Sequence, residues 1–211
     1  IVFVLENREI PAAYFVWLAG ILDFFDGFAA RMLKVTSPIG KELDSLADVI
    51  SFGVLPSLVM YKLISASTDS SFLPYLGFTI AVFSALRLAI FNVDETQRDS
   101  FRGLNTPANT LFITALPLLH DDVGRWLYQT EVLIAITLLF SFLLVSRIEF
   151  FAFKFKNFRW QDNRIRFTFL ILAVLLLVTL QILAIPVIIL LYIVLSLLEN
   201  TLSRRKSVKK T

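Results

Sequence analysis

The sequence has no cysteine. Disulfides, thiolate nucleophiles and thiolate metal sites are therefore excluded. It has 1 histidine, His120, so one chain cannot assemble a histidine-rich metal site. The 2 methionines, Met32 and Met60, are too isolated to suggest a special role. Charged residues make up only 18% of the chain, and no internal repeat or low-complexity linker interrupts it. The first residue is Ile1 rather than methionine, and "IVFVL" reads as the tail of a truncated first helix, not as a signal peptide.

Apolar residues are what the chain has in abundance. Of its 211 residues 57% are hydrophobic, 21 are phenylalanine, and the mean hydropathy is +0.75. Several segments approach the ~20 apolar residues that span a bilayer. An integral membrane protein is expected, with most phenylalanines facing lipid or packing between helices. Apolar spans fall at about 11–30, 45–64, 72–91, 106–119 and 130–146, followed by a long stretch 167–198.

Charge placement orients these spans. Sorted by alternate loops, seventeen of the 20 lysines and arginines fall on one side, leaving Arg8, Lys62 and Arg125 on the other. The positive-inside rule makes the rich side cytoplasmic. As one helix, 167–198 would be about 48 Å long, too long for a ~30 Å hydrocarbon core, and would put the basic tail outside. Two passes joined near "LQILAIP" restore the rule. The expected fold is therefore all-α: a single polytopic transmembrane helical bundle over 1–211, of about seven to eight spans with the first truncated, and extra C-terminal helices at about 167–198.

Residues 147–166, "RIEFFAFKFKNFRWQDNRIR", interleave aromatic and basic side chains. Such a pattern can stack single-stranded nucleic acid. Between two membrane spans it reads instead as an interfacial segment, with rings in the headgroup layer, and no nucleic-acid partner is expected. His120, in "LLHDDVGRW", falls on an outer loop and is read as solvated.

The chemistry concentrates in "DFFDGFAARMLKVTSPIGKELDSLAD", residues 23–48. Asp23 and Asp26 are three apart and share a helix face; Asp44 and Asp48 are four apart and share a face of the next helix. Between them "TSPIG" signals a turn, with Ser37 placed to cap the second helix and Pro38 at its first position. Two antiparallel helices then bring both pairs together at one membrane depth. Four clustered carboxylates repel in a low dielectric, and hard divalent cations relieve that repulsion. Gly27 and Ala30 lie on the face of Asp23, and Gly40 on that of Asp44, where small side chains let a ligand or backbone come close. Arg31 supplies a cation suited to phosphate. Solvated helix ends paired with Lys34 and Lys41 are the plainer alternative, but acids at membrane depth are more often functional.

The stretch satisfies D-x₂-D-G-x₂-A-R-x₈-G-x₃-D-x₃-D at Asp23, Asp26, Gly27, Ala30, Arg31, Gly40, Asp44 and Asp48. It resembles the signature of the CDP-alcohol phosphatidyltransferases. Within that family, "ALRLAIFNV" at 85–93 and "FRGLNTPANT" at 101–110 are similar to runs in the bacterial integral-membrane phosphatidylserine synthases. The likeness is good over roughly 11–120, and the rest matches only as hydrophobic helices. The resemblance implies transfer of a phosphatidyl group from CDP-diacylglycerol to L-serine, giving phosphatidylserine and CMP. It implies two Mg²⁺ or Mn²⁺ ions held by Asp23, Asp26, Asp44 and Asp48, with Asp48 as general base. It implies CDP-diacylglycerol contacts along Gly27, Ala30, Arg31, Ser37 and Gly40, at the cytoplasmic face of a bacterial inner membrane. A homodimer is in keeping with that family.

Serine needs partners for its carboxylate and ammonium. Arg87 is charged within an apolar span and is costly there unless paired. It is a candidate serine or phosphate contact, or a structural partner of an aspartate. Asn92 and Asn105 are candidate substrate contacts or helix caps; Asn105 before "TP" reads as a helix start. Other acceptors, glycerol 3-phosphate or an inositol phosphate, stay open within the family. A divalent-cation transporter would need polar groups continuing beyond Asp48, where the chain reads "VISFGVLPSLVMY". A structural scaffold would leave the four aspartates dispensable.

Overall fold

The computed structural model describes residues 1–33, 37–94, 100–119, 124–151, 159–161 and 163–208, with the side chains of Arg31, Ser100, Phe101 and 202–208 left out. His120, Lys34 and residues 152–158 of the aromatic–basic segment lie outside the described residues.

A short helix α1 (Val2–Leu5) precedes α2 (Glu9–Leu33), which carries the first aspartate pair. The chain then enters α3 (Pro38–Asp48) through Ser37, whose backbone is extended and whose Oγ accepts a 3.0 Å hydrogen bond from the Gly40 amide. The cap satisfies a helix-end donor that has no partner within the helix. Gly40 is needed for it, because a Cβ there would come within 2.9 Å of Ser37 Oγ.

Directly after Asp48 the helix widens. Residues Val49–Val54 form a π-helical segment that runs on into α4 (Leu55–Ser67), so 38–67 is one continuous rod. A π turn shifts the hydrogen-bond ladder and re-aims the faces on either side of it. It is secured from outside: Thr110 Oγ1 lies 2.8 Å from the Phe52 carbonyl and 2.9 Å from that of Thr106, its one proton shared between them. Gly53, within the same segment, lets α5 (Thr79–Val93) come close; a Cβ would sit 3.1 Å from Ser84 Cβ.

Helix α6 (Thr106–Ala115) starts at Asn105, whose side-chain oxygen accepts from the Ala108 amide at 2.9 Å, the predicted helix start. Phe112 of α6 stacks on Phe140 of α7 (Thr130–Val145), ring centroids 4.2 Å apart, in the middle of the core. The connections after α5 and α7 meet in an antiparallel ribbon of β1 (Ser100–Arg102) and β2 (Glu149–Phe151), with Arg102 opposite Glu149. The ribbon is stitched to the end of α7: the Gly103 amide donates to the Ile148 carbonyl and the Leu104 amide to the Leu143 carbonyl, both at 2.9 Å. Gly103 has φ +79°, and a Cβ there would collide with the Leu144 carbonyl oxygen, so only glycine fits both the dihedral and the space.

The long C-terminal stretch divides as expected. Helix α8 (Arg164–Leu180) breaks at Gln181, whose φ is +50°, and α9 (Ala184–Val208) follows a 3₁₀ turn. Helix α9 returns to the ribbon, where Tyr192 Oη donates to the Phe151 carbonyl (3.0 Å) and Asn200 Nδ2 to the Glu149 carbonyl (2.9 Å). The pair is thus a hairpin of two passes. One expectation is corrected. Phe150 and Phe151, read as interfacial rings, are 0% and 4% exposed and pack against Tyr192, because the ribbon is held between α7 and α9.

The outward faces are apolar. Phe15, Leu22 and Phe25 of α2 and Ile171, Val174 and Val178 of α8 all stand exposed. The stretches Glu9–Ala30, Pro38–Ser67, Leu73–Val93 and Arg164–Thr201 are long and apolar enough to cross a membrane, the last holding both passes of the hairpin. With backbone groups satisfied within helices, such faces suit hydrocarbon and not water. The chain is an integral membrane protein of the polytopic helical kind.

Candidate active site

The turn between α2 and α3 folds the two aspartate pairs onto each other. Carboxylate oxygens of Asp23, Asp26 and Asp44 lie within 4.8 Å of one another. Asp48, one turn on from Asp44 along α3, lies within electrostatic reach of Asp23 and Asp44. Asp23 and Asp48 are half-buried, and Asp26 and Asp44 exposed, so the cluster opens outward from the junction of the two helices. Among the described side chains, no lysine or arginine forms an ion pair with any of the four. Lys41, read as a possible partner, instead donates to the Asn92 carbonyl at 3.0 Å. An all-oxygen donor set on two rigid helices fits a hard divalent ion.

The helix bearing Asp44 and Asp48 is clasped to the end of α5. Asn92 Nδ2 donates to Ser45 Oγ (2.8 Å), Ser45 Oγ to the Lys41 carbonyl (3.1 Å), and Lys41 Nζ back to the Asn92 carbonyl. Asn105 caps α6, the structural duty weighed for it, whereas Asn92 caps no helix and instead holds α3 against α5.

Gly27 stands apart. A Cβ built on it meets nothing within 4 Å. Glycine inside a helix costs roughly 0.5–1 kcal/mol relative to alanine, and no packing contact among the described residues requires it. It lies one residue after Asp26 and one turn from Asp23, facing open space beside the carboxylates. Ala30 is on the same stripe. Arg31 follows on α2, with its side chain outside the described part.

Arg87 approaches the cluster from α5. It is 8% exposed, its Nε has no hydrogen-bond partner, and its guanidinium carbon lies 5.9 Å from the Phe91 ring centroid. It is within electrostatic reach of both Asp48 and Tyr192. An apolar groove of about 340 Å³ runs along α2, lined by Trp17, Gly20, Phe24 and Phe52 and continuing to Pro107 and Thr110. Trp17 is fixed there by a 2.9 Å hydrogen bond from Nε1 to Thr114 Oγ1.

Residues 1–143 match the profile described as CDP-alcohol phosphatidyltransferase. The chain belongs to this family. Among curated members it is similar to the CDP-diacylglycerol–serine O-phosphatidyltransferase of Bacillus subtilis, 34% identical over 148 residues, covering 68% of this chain and 76% of the relative. The protein of that name from Mycobacterium leprae is 36% identical over 154 residues (69% and 51%). The one from Helicobacter pylori is 35% identical over 152 (69% and 62%). In the last two, the match spans less than two thirds of the relative's length. The family match includes the whole aspartate cluster and stops within α7, so α8 and α9 lie beyond it.

Three residues that help to build this family site carried no signal in the sequence. Thr110 steadies the π segment behind Asp48, Ser45 locks α3, and Trp17 shapes the groove. Their partners lie 58, 47 and 97 positions away in the chain.

Proposed function

We propose that this protein transfers the phosphatidyl group of CDP-diacylglycerol to L-serine, forming phosphatidylserine and CMP. The observation that carries the reading is the convergence of Asp23, Asp26 and Asp44, with Asp48 within electrostatic reach of Asp23 and Asp44, in a chain of this family. The names of the similar proteins supply the acceptor. In this reading the whole of 1–211 works as one unit. It sits in a bacterial inner membrane with the site facing the cytoplasm, the side the positive-inside rule assigns to the basic loops. It forms a homodimer, as is common in the family.

The four aspartates would hold two divalent ions, Mg²⁺ or Mn²⁺, which when bound neutralise charge on the carboxylates and on the pyrophosphate. The chain's own residues do the rest. Gly27 and Ala30 leave room for the cytidine diphosphate to lie against α2, and Arg31 supplies a positive charge suited to its phosphates. Ser37 and Gly40 form the floor of the turn beneath it. The groove along Trp17, Gly20 and Phe24 receives acyl chain, so the lipid bridges bilayer and site. Asp48 takes the proton of the serine hydroxyl as its oxygen forms a bond to the phosphatidyl phosphorus. The bond from that phosphorus to the bridging oxygen breaks, and CMP leaves with the electron pair. Positioning and charge neutralisation supply most of the acceleration in phosphoryl transfer. Arg87 orients the acceptor, while Asn92 and Asn105 act on the acceptor side by holding α3 and α6.

The test is CMP release by the purified full-length protein with CDP-diacylglycerol and Mg²⁺ or Mn²⁺, offering serine, glycerol 3-phosphate or an inositol phosphate in turn. Metal-requiring release with serine is expected. Release only with a phosphorylated acceptor would keep the family and discard serine, and no release with any acceptor from folded protein would overturn the proposal.

A further inference from the structure

A second cavity, of about 190 Å³, lies between the ends of α5 and α7 and the first strand, with Arg87 in its wall. It is smaller than the ~300–1,000 Å³ pockets that take drug-sized ligands, a size suited to a molecule of few heavy atoms. Its charged lining is Arg87, Asp94, Arg102 and Arg147. Three guanidinium groups and one carboxylate around so small a space match a ligand carrying a carboxylate and an ammonium. Ser146 adds a neutral polar group to the wall.

Arg87 is a lining residue with an unmet hydrogen-bond donor. It is more than nine-tenths buried, yet Nε lacks a partner, and a buried unsatisfied donor costs free energy unless something fills the position. Its charge also bears on Asp48, so a side chain that lines this cavity is within electrostatic reach of the proposed base. The remaining arginines are brought in by the fold. Arg102 ends β1 and Arg147 follows α7; the amide of Gly103 on the Ile148 carbonyl and the close fit of Gly103 against Leu144 lock the two segments together.

We infer that this cavity is the recognition site for the amino-acid acceptor, with Arg102 and Arg147 as specificity-determining residues that bind its carboxylate and Arg87 as the inner contact that turns its hydroxyl toward Asp48. The inference rests on the proposed function and adds the residues that choose the acceptor. A phosphorylated acceptor would bring its negative charge without an ammonium to set against Asp94, and an amino alcohol would bring the ammonium without the carboxylate.

The test uses the full chain in lipid. The Michaelis constant for serine is measured in wild type, Arg147→Ala, Arg147→Lys, Arg102→Ala and, as a control outside the site, Arg125→Ala. Both arginines are exposed, so their replacement leaves the core intact. The loss of a charged hydrogen bond is expected to raise the serine constant roughly tenfold to hundredfold in both alanine variants. The constant for CDP-diacylglycerol should stay within about twofold, with partial recovery in Arg147→Lys. Ethanolamine, which lacks the carboxylate, should be a poor acceptor for all forms and should not discriminate between them. If wild type uses serine while both alanine variants keep its constant within about twofold, the cavity assignment is wrong and the proposed function stands. If wild type uses no amino-acid acceptor, the proposed function fails and this inference with it.

Discussion

Replacing Gly27 with alanine should make the protein more stable and the enzyme worse. In the structure a Cβ at this position touches nothing within 4 Å, so the added methyl meets no steric penalty in the ligand-free chain. Removing glycine from a helix interior is worth roughly 0.5–1 kcal/mol through the backbone entropy lost on folding. Unfolding of purified Gly27→Ala in detergent, followed by helical circular dichroism against denaturant, should therefore shift to a higher midpoint. The same methyl occupies the space beside Asp23 and Asp26 into which the cytidine diphosphate is proposed to fit. Overpacking a well-fitted site costs about 1–3 kcal/mol, equivalent to a rise of roughly fivefold to more than a hundredfold in the Michaelis constant for CDP-diacylglycerol. Stability and affinity should thus move in opposite directions. If Gly27→Ala is stabilised and binds CDP-diacylglycerol as well as wild type, the open face of α2 is not where the nucleotide lies. If it is destabilised, the reading of Gly27 as free of packing duty is wrong.

Asp48→Asn, nearly isosteric, should abolish serine-dependent CMP release while leaving the thermal midpoint close to wild type; unfolding instead would mark Asp48 as structural. Thr110→Val removes the hydroxyl on the buried Phe52 carbonyl and should cost about 1–3 kcal/mol of stability, read by denaturant unfolding. It should also raise the metal concentration needed for half-maximal activity, because the π segment begins one residue after Asp48; Thr110→Ser should restore the metal requirement. Gly103→Ala, with φ +79° and a carbonyl oxygen in the way, should lower stability by more than 1 kcal/mol and weaken serine use more than CDP-diacylglycerol binding, measured as the two Michaelis constants.

The parts legible from the sequence were those written in local spacing. The i, i+3 and i, i+4 aspartates, the Ser37 cap with Pro38, the Asn105 helix start and the break near Gln181 each depend on residues within a turn or two of one another, and each appears in the structure. The parts that were not legible depend on pairs distant in the chain. The π segment lies in an apolar run whose buried faces give no sign of a change of period, and its support comes from Thr110, 58 positions on. The strands of the ribbon are three residues long, too short for alternation to register. Tertiary packing also reversed one local expectation: Phe150 and Phe151, flanked by charge, look interfacial until α9 is laid across them.

The aspartates stand among exposed apolar side chains: Phe24, Phe25 and Phe28 on α2, and Leu43 and Leu46 on α3. A site so bordered is entered sideways, from the leaflet. On the proposed function, CDP-diacylglycerol never has to leave the bilayer to react, and phosphatidylserine is delivered into the same leaflet. The quantity that sets the rate is then the mole fraction of the substrate among its neighbouring lipids, a two-dimensional concentration. Diluting the membrane with inert lipid slows the enzyme, whereas diluting the suspension with buffer at constant serine does not.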